Sequence, residues 1–255
     1  MNHFFLIIFS TFFIGQIAFA QNFSDNLKLA DSLFKEKKYI EANEIYEQIY
    51  SKDDRFSPQM LLKMAYTHES SGDYTKALYY LNVFYNYHPE KKVLKKMEDL
   101  AIRHRLTGYN YTDLEYFISL YNQYYYYIIY FFLFTAISFY VYLIVKKINK
   151  RRLGLRPIFF ILILLVVYIV TNYELVPMKG IISNDNAYLM SGPSAASEVK
   201  AITEKGHRVI VWSKNDIWYK VSWNGEQMYI RKNNLMLVGD EDHLRGESFS
   251  FMKWL

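Results

Sequence analysis

Between Lys146 and Arg156 the chain carries six basic residues and no acidic one in eleven positions, and a long apolar run flanks this segment on each side. Nothing else in the sequence restricts the fold as strongly. Tyr124 to Val145 is 22 residues without Asp, Glu, Lys or Arg. As a helix it reaches roughly 33 Å, enough to cross a hydrocarbon core of about 30 Å. It opens on "YYYYIIYFF", and tyrosines clustered at the edge of a span form the aromatic belt of a membrane interface. The second run, "PIFFILILLVVYIVTNY" over 157–173, has 17 residues and leans on its flanks to reach both interfaces. Alone, a run of that length also suits a buried core helix. Two such runs joined by a charged loop predict a hairpin of transmembrane helices, 124–145 and 157–173, around the loop 146–156.

The loop also accounts for the charge. The formal net charge is +5, yet without Lys146, Lys147, Lys150, Arg151, Arg152 and Arg156 the rest is slightly negative. The basic balance is therefore a topology signal and gives no reason to expect nucleic acid. Positively charged loops stay in the cytoplasm, so both flanking segments are expected outside. The first twenty residues agree: an apolar centre from Phe4 to Phe13 ends in Ala18-Phe19-Ala20, the small-residue spacing of a signal peptide 1–20. With only His3 and the amino terminus as its positive end, the segment also reads as an uncleaved anchor; either way the downstream chain is exported.

Residues 24–106 repeat themselves. "LKLADSLFKEKKYIEANEIYEQI" returns as "LLKMAYTHESSGDYTKALYYLNVFYNYHP". Setting Tyr39 on Tyr74 places Leu29 on Met64, Ala30 on Ala65, Ala42 on Ala77, Tyr46 on Leu81 and Ile49 on Phe84, all at one offset. The small residues let paired helices approach closely. This pattern, with its Gly72-Asp73-Tyr74 turn and Pro89, resembles the tetratricopeptide repeat; in the first copy Lys37-Lys38 replace the Gly-Asp turn. After Pro89, Val93, Leu94, Met97, Leu100 and Ala101 fall at helical spacing and predict a helix capping the second repeat. The resemblance implies a peptide-binding groove lined by Leu27, Asp31, Phe34, Leu62, Tyr66 and Glu69. The basic clamp for C-terminal carboxylates is missing, since Leu27 and Asp31 stand where it needs Lys and Asn. Residues 107–123 are expected to be a linker.

From Lys179 the texture changes to short alternating runs, with Asn224-Gly225 between two of them as a strong hairpin signal. Ser191-Gly192-Pro193-Ser194, Gly206 before "HRVIVW" and Trp218-Tyr219-Lys220-Val221 make 179–238 resemble a bacterial SH3-like domain, a small β barrel. Met190 and Met228-Tyr229-Ile230 depart from that family's usual Arg and Gly-Trp-Val. Trp212, Trp218, Tyr219 and Tyr229 are the candidate shelf for a peptide or cell-wall ligand, although a small barrel needs some of these rings for its core. The tail 239–255 is acidic, then aromatic.

Chemistry is hard to find. The chain has no Cys, which excludes thiol nucleophiles, disulfides and Cys-held metals. Phosphate loops, dinucleotide fingerprints and metalloprotease helices are absent. His3, His68, His88, His104, His207 and His243 show no metal-ligand spacing, and Ser197-Glu198-Val199-Lys200 is a chance match to a penicillin-enzyme motif. No cofactor or metal is expected, and the chain does not read as an enzyme.

The expected fold class is therefore multidomain: a tetratricopeptide α-solenoid, two transmembrane helices and a C-terminal SH3-like β barrel. That order resembles the BatE family of the Bacteroides aerotolerance proteins. The resemblance implies an inner-membrane scaffold, with both modules periplasmic, working beside von Willebrand factor A domain proteins and a MoxR-type ATPase in envelope stress tolerance. A tether or sensor that holds peptidoglycan through the SH3-like module is the alternative.

Overall fold

The computed structural model describes residues 23–53, 56–149, 156–172 and 178–239. The expected signal peptide 1–20 and nearly all of the tail lie outside the described residues. Among the described residues five helices come first: α1 over 23–35, α2 (Tyr39–Asp53), α3 (Pro58–Ser70), α4 (Tyr74–Tyr87) and α5 (Lys91–Arg103). Local chemistry sets their ends. Ser57 Oγ accepts from the Met60 N–H at 3.1 Å, with Pro58 in the first turn, and Asp73 Oδ1 accepts from the Lys76 N–H at 3.1 Å. Each cap satisfies a donor that the helix start leaves free.

The helices keep the 35-residue offset of the sequence. Ala30, Ala42, Ala65 and Ala77 are all buried, together with Tyr46, Ile49, Met64, Leu81 and Phe84. Leu29 departs from its counterpart Met64 and is exposed; no described helix precedes α1 to cover that face. The turn between α3 and α4 passes through Gly72 at φ 84°, and its counterpart between α1 and α2 is Lys37 at φ 64°. A side chain in that left-handed region costs about 1–2 kcal/mol that glycine escapes.

Helix α6 (Asp113–Ile148) has 36 residues, about 54 Å. Thr112 Oγ1 caps it by accepting from the Glu115 N–H at 3.2 Å, Asp113 and Glu115 lie in its first turn, and Lys146 and Lys147 in its last, each end matched to the helix dipole. The expected linker is thus shorter than 107–123, because its second half is helical. Helix α7 (Arg156–Asn172) packs beside α6 through Phe160, which stacks on Phe139 at 5.7 Å and on Tyr140 at 6.3 Å. By length and composition one described helix can cross a membrane, over Gln123–Ile148. The expectation of two such helices is not met by that measure. At 17 residues α7 is only about 26 Å long, with its apolar part at Pro157–Ile169.

Among the described residues seven antiparallel strands follow: β1 (Met178–Ile182), β2 (Ala187–Met190), β3 (Val199–Thr203), β4 (Arg208–Asn215), β5 (Trp218–Trp223), β6 (Glu226–Arg231) and β7 (Leu235–Val238). Asn224 and Gly225, both at positive φ, turn β5 into β6. The order across the sheet is β3-β2-β6-β5-β4-β1-β7. This corrects the expected barrel: the sheet is open, with β3 and β7 as its two edges. The reason lies in the alternation of β1 and β7. Ile182, Leu235 and Leu237 pack with Val209, Val211, Tyr219 and Val221 in the sheet's own core. Ile181, Met236 and Val238 point the other way and join the core of the helices. Asn86 of α4 donates to the Val238 carbonyl at 3.2 Å. The β7 margin is covered by helix instead of closing on β3.

Replacing Lys37 by Gly should raise the stability of the helical layer by about 0.5–1 kcal/mol, because relief of the left-handed strain exceeds the added chain entropy. Thermal unfolding in detergent is the measurement, with Gly72→Ala expected to shift the melt in the opposite direction.

Candidate functional site

The residues expected to line the repeat groove do not all meet. Asp31 of α1 accepts from Tyr46 Oη at 2.6 Å and from Lys63 Nζ at 2.7 Å. Burial alone would push its carboxyl up, but these two donors outweigh it and hold the group below the usual carboxylate range. Phe34, Tyr39 and Tyr66, from three successive helices, form an edge-to-face cluster with centroids 5.0–6.0 Å apart. Lys63 Nζ lies 5.6 Å from the Phe34 centroid. Tyr66 is half exposed and Leu62 exposed, while Leu27 is partly buried against the helical core. Glu69 belongs elsewhere: Lys96 at 2.7 Å and Arg103 at 3.2 Å tie it to α5. With Lys63 already held by Asp31, this surface suits an apolar or aromatic side chain better than a carboxylate.

The four aromatic residues of the sheet divide in the same way. Tyr219 is 1% exposed and sits in the sheet core. Trp218 is also buried, with the Arg231 guanidinium 5.5 Å from its ring, and Tyr229 is half-buried. Trp212, 51% exposed at the β4 irregularity, is the ring left open. These positions do not assemble into one shelf. Of the basic loop, Lys146 and Lys147 end α6 and Arg156 opens α7; Lys150, Arg151 and Arg152 lie outside the described residues.

The most organised polar site is one that motif reading missed, at the junction of helices, linker and sheet. Along β1 and β4, the side chains facing away from the sheet core are Lys179, Ile181, Arg208 and Ile210. Arg208 is 6% exposed. Its Nε donates to the Gly108 carbonyl at 2.6 Å, and its Nη1 to Asn82 Oδ1 at 3.1 Å and to Tyr111 Oη. The guanidinium carbon lies 4.9 Å from the Tyr109 centroid and 4.3 Å from that of Tyr111, so two ring faces and three uncharged acceptors solvate a buried cation. Its main chain is held as well: the Arg208 N–H donates to the Thr107 carbonyl at 3.1 Å.

Neighbouring contacts extend the seam. Tyr109 Oη donates to the Gly206 carbonyl at 2.7 Å, and His207 Nδ1 accepts from the Thr107 N–H at 3.1 Å. Gly108 is required by close approach, since a Cβ there would stand 2.0 Å from the Arg208 carbonyl oxygen. Lys179 lies 5.3 Å from the Tyr111 ring and 3.7 Å from Glu115 in the first turn of α6. Beside these cations opens a cleft of about 280 Å³, lined by the 107–110 segment, Glu115, Lys179, β4 and the β5–β6 turn. Among the described residues, no group of His, Asp and Glu side chains is placed to hold a metal.

The partners in this seam stand about a hundred positions apart in the chain, so no local motif announces them. The one available signal was the glycine-and-tyrosine run "TGYNYT" at 107–112, too tightly built for a passive linker. No protein-family model matches the chain, and no curated protein matches it by sequence.

The junction carries a pH signature. Burial, then the charge of Arg208, push the Lys179 ammonium down from its usual 10.5 to about 8, against the pull of Glu115. Unfolding restores the usual value, so from about pH 8 to 10 the unfolded chain keeps a proton that the folded chain has released. Stability rises with pH across that window. Burial raises the Tyr109 hydroxyl and pushes that of Tyr111 up to about 12; unfolded tyrosine ionises near 10, so stability falls again above that. Burial lowers His207 and His68 below 6.5, and each adds stability that is present above that pH and lost as the pH falls through it. The expected profile has its maximum at about pH 9–10, and Lys179→Met should remove the rise above pH 8 while leaving the acid limb. Gly108→Ala should cost roughly 2 kcal/mol or more and speed proteolysis within 107–112, read by gel and thermal melt.

Proposed function

We propose that the chain is a non-enzymatic membrane scaffold whose helical and sheet modules form one rigid head on the outer face of the membrane. The observation that carries this reading is the shared core at the junction. Because Ile181, Met236 and Val238 pack into the helical core, residues before α6 and after α7 stand on one side. If α6 crosses the bilayer, α7 must bring the chain back. This supports the hairpin of spans despite the shortness of α7. So do the exposed apolar side chains along both helices, including Phe131, Phe134, Ile161 and Leu165. The basic segment between the two helices then faces the cytoplasm by the positive-inside rule, and exposed Tyr124, Tyr126, Tyr127 and Tyr130 lie at the outer interface.

In this reading the head is a tetratricopeptide pair joined to an SH3-like sheet. It belongs to a BatE-type envelope complex with von Willebrand factor A domain proteins and a MoxR-type ATPase. The surface offered to a partner is the aromatic face of Phe34, Tyr39, Leu62 and Tyr66. It is rigid, because its rings hold one another edge to face, and apolar rings supply most of the energy at such contacts.

The absence of Cys permits a direct test. Single cysteines at Ile40 and Tyr188, both exposed, should react in intact cells with a maleimide that cannot cross the inner membrane, whereas one at Lys147 should react only after lysis. Labelling of Lys147→Cys together with the other two in intact cells would overturn the topology. For the partner surface, Tyr66→Ala with Leu62→Asp should abolish crosslinked recovery of membrane partners at unchanged expression. If recovery survives and cell-wall sedimentation is lost only with Trp212→Ala, the tether reading replaces the scaffold.

A further inference from the structure

We infer that the junction cleft is a binding site for a singly charged phosphodiester. Two cations meet there, Lys179 and Arg208, against one carboxylate, Glu115. The Lys179 side chain is only 13% exposed, and Arg208 is satisfied by the uncharged oxygens of Gly108, Asn82 and Tyr111. Glu115, 3.7 Å from Lys179, matches one of the charges, which leaves a single net positive charge at the cleft. The uncharged acceptors hold the Arg208 guanidinium without neutralising it, so the excess charge can still attract an anion into the adjacent space. The sign and size of the excess choose the ligand. One net charge fits a monoanion better than the dianion of a phosphate monoester.

The surroundings narrow the choice further. At about 280 Å³ the cleft is larger than a carboxylate requires, and Thr107, Asn110, Ser222 and Asn224 line it with neutral hydrogen-bonding groups suited to ester and hydroxyl oxygens. Lysine serves such oxygens as a point charge. The depressed ammonium of Lys179 fits an incomplete site, since a bound anion would restore its proton and its usual basicity. Two sources present the same chemistry: a soluble diester, or the headgroup of a phospholipid. Glu115 stands eight residues before Gln123, about 12 Å along α6, so the cleft opens beside the headgroup layer in the topology proposed above. Only the lipid source rests on that reading; the site does not.

The full-length protein, purified in a phosphate-free non-ionic detergent, would be titrated with dimethyl phosphate by calorimetry at constant ionic strength, with acetate as the control. In parallel, lipid retention would be read by mass spectrometry after exposure to phosphatidylglycerol micelles. Lys179→Met should weaken diester binding about tenfold, the loss of one charge-assisted hydrogen bond. Ser222→Glu, on the cleft wall away from the Arg208 cage, should do the same with an unchanged melt, and it carries the test if Lys179→Met unfolds. Binding of dimethyl phosphate that both variants lose supports a soluble diester. Retention of phosphatidylglycerol by the wild type and not by Ser222→Glu, with dimethyl phosphate silent, supports the headgroup. Silence of both probes, acetate binding as tightly as the diester, or variants that bind like the wild type would overturn the proposal.

Discussion

The guanidinium of Arg208 occupies the point where α4, the 107–112 segment and the sheet meet, and the rest of the arrangement depends on its being satisfied there. A cation that deep in the molecule is tolerated because Asn82, Gly108 and Tyr111 accept its hydrogen bonds while two tyrosine rings cover its faces. Every one of those groups must be in register for the others to work. Asn82 is itself oriented by donating to the Leu78 carbonyl at 2.8 Å, Gly108 admits the β4 main chain, and Tyr109 reaches across to Gly206. The cage therefore joins the modules with a specificity that apolar packing alone would not supply.

That attachment explains the form of the sheet. A small antiparallel sheet that stood alone would gain by closing and hiding its edges. Here the alternation of β1 and β7 sends one set of side chains to the sheet core and the other to the helices. One edge is thereby protected without a closing ladder. If α6 crosses a membrane as proposed, the same attachment requires the chain to return after it, because two surfaces that share a core cannot stand on opposite sides of a bilayer. The shortness of α7 is a matter of a few residues, whereas separating the modules would expose Ile181, Met236, Val238 and the Arg208 cage together.

Much of the helical layer was legible because it depends on short-range periodicity. The four small residues at Ala30, Ala42, Ala65 and Ala77 are buried where the 35-residue offset puts them. Even the irregular first turn keeps its geometry, with Lys37 in the left-handed conformation of Gly72. Leu29 shows the limit of such reasoning: equivalent positions in a repeat are equivalent only when each has a neighbour to cover it. In the sheet, alternation identified strands but not faces. Of the adjacent pair Trp218-Tyr219, composition could not tell which ring fills the core, and the two tryptophans Trp212 and Trp218 differ completely in exposure. The groove residues were legible as a helical face, yet Glu69 left that face to pair with Lys96 and Arg103, because α5 packs where a third repeat would continue.

By itself the sequence determined the class of each segment: paired helices from a repeated apolar pattern, strands from alternation around Asn224-Gly225, and long apolar helices on either side of a basic segment. These follow from backbone geometry and local burial, which act over a few residues. Only the tertiary structure decided that the sheet stays open, that residues 107–112 of the expected linker join the helices to the sheet, and that Lys179 and Arg208 share one cleft with Glu115. Those outcomes rest on contacts between residues far apart in the chain, where each partner is ordinary alone. Their energies exist only once desolvation has brought them together.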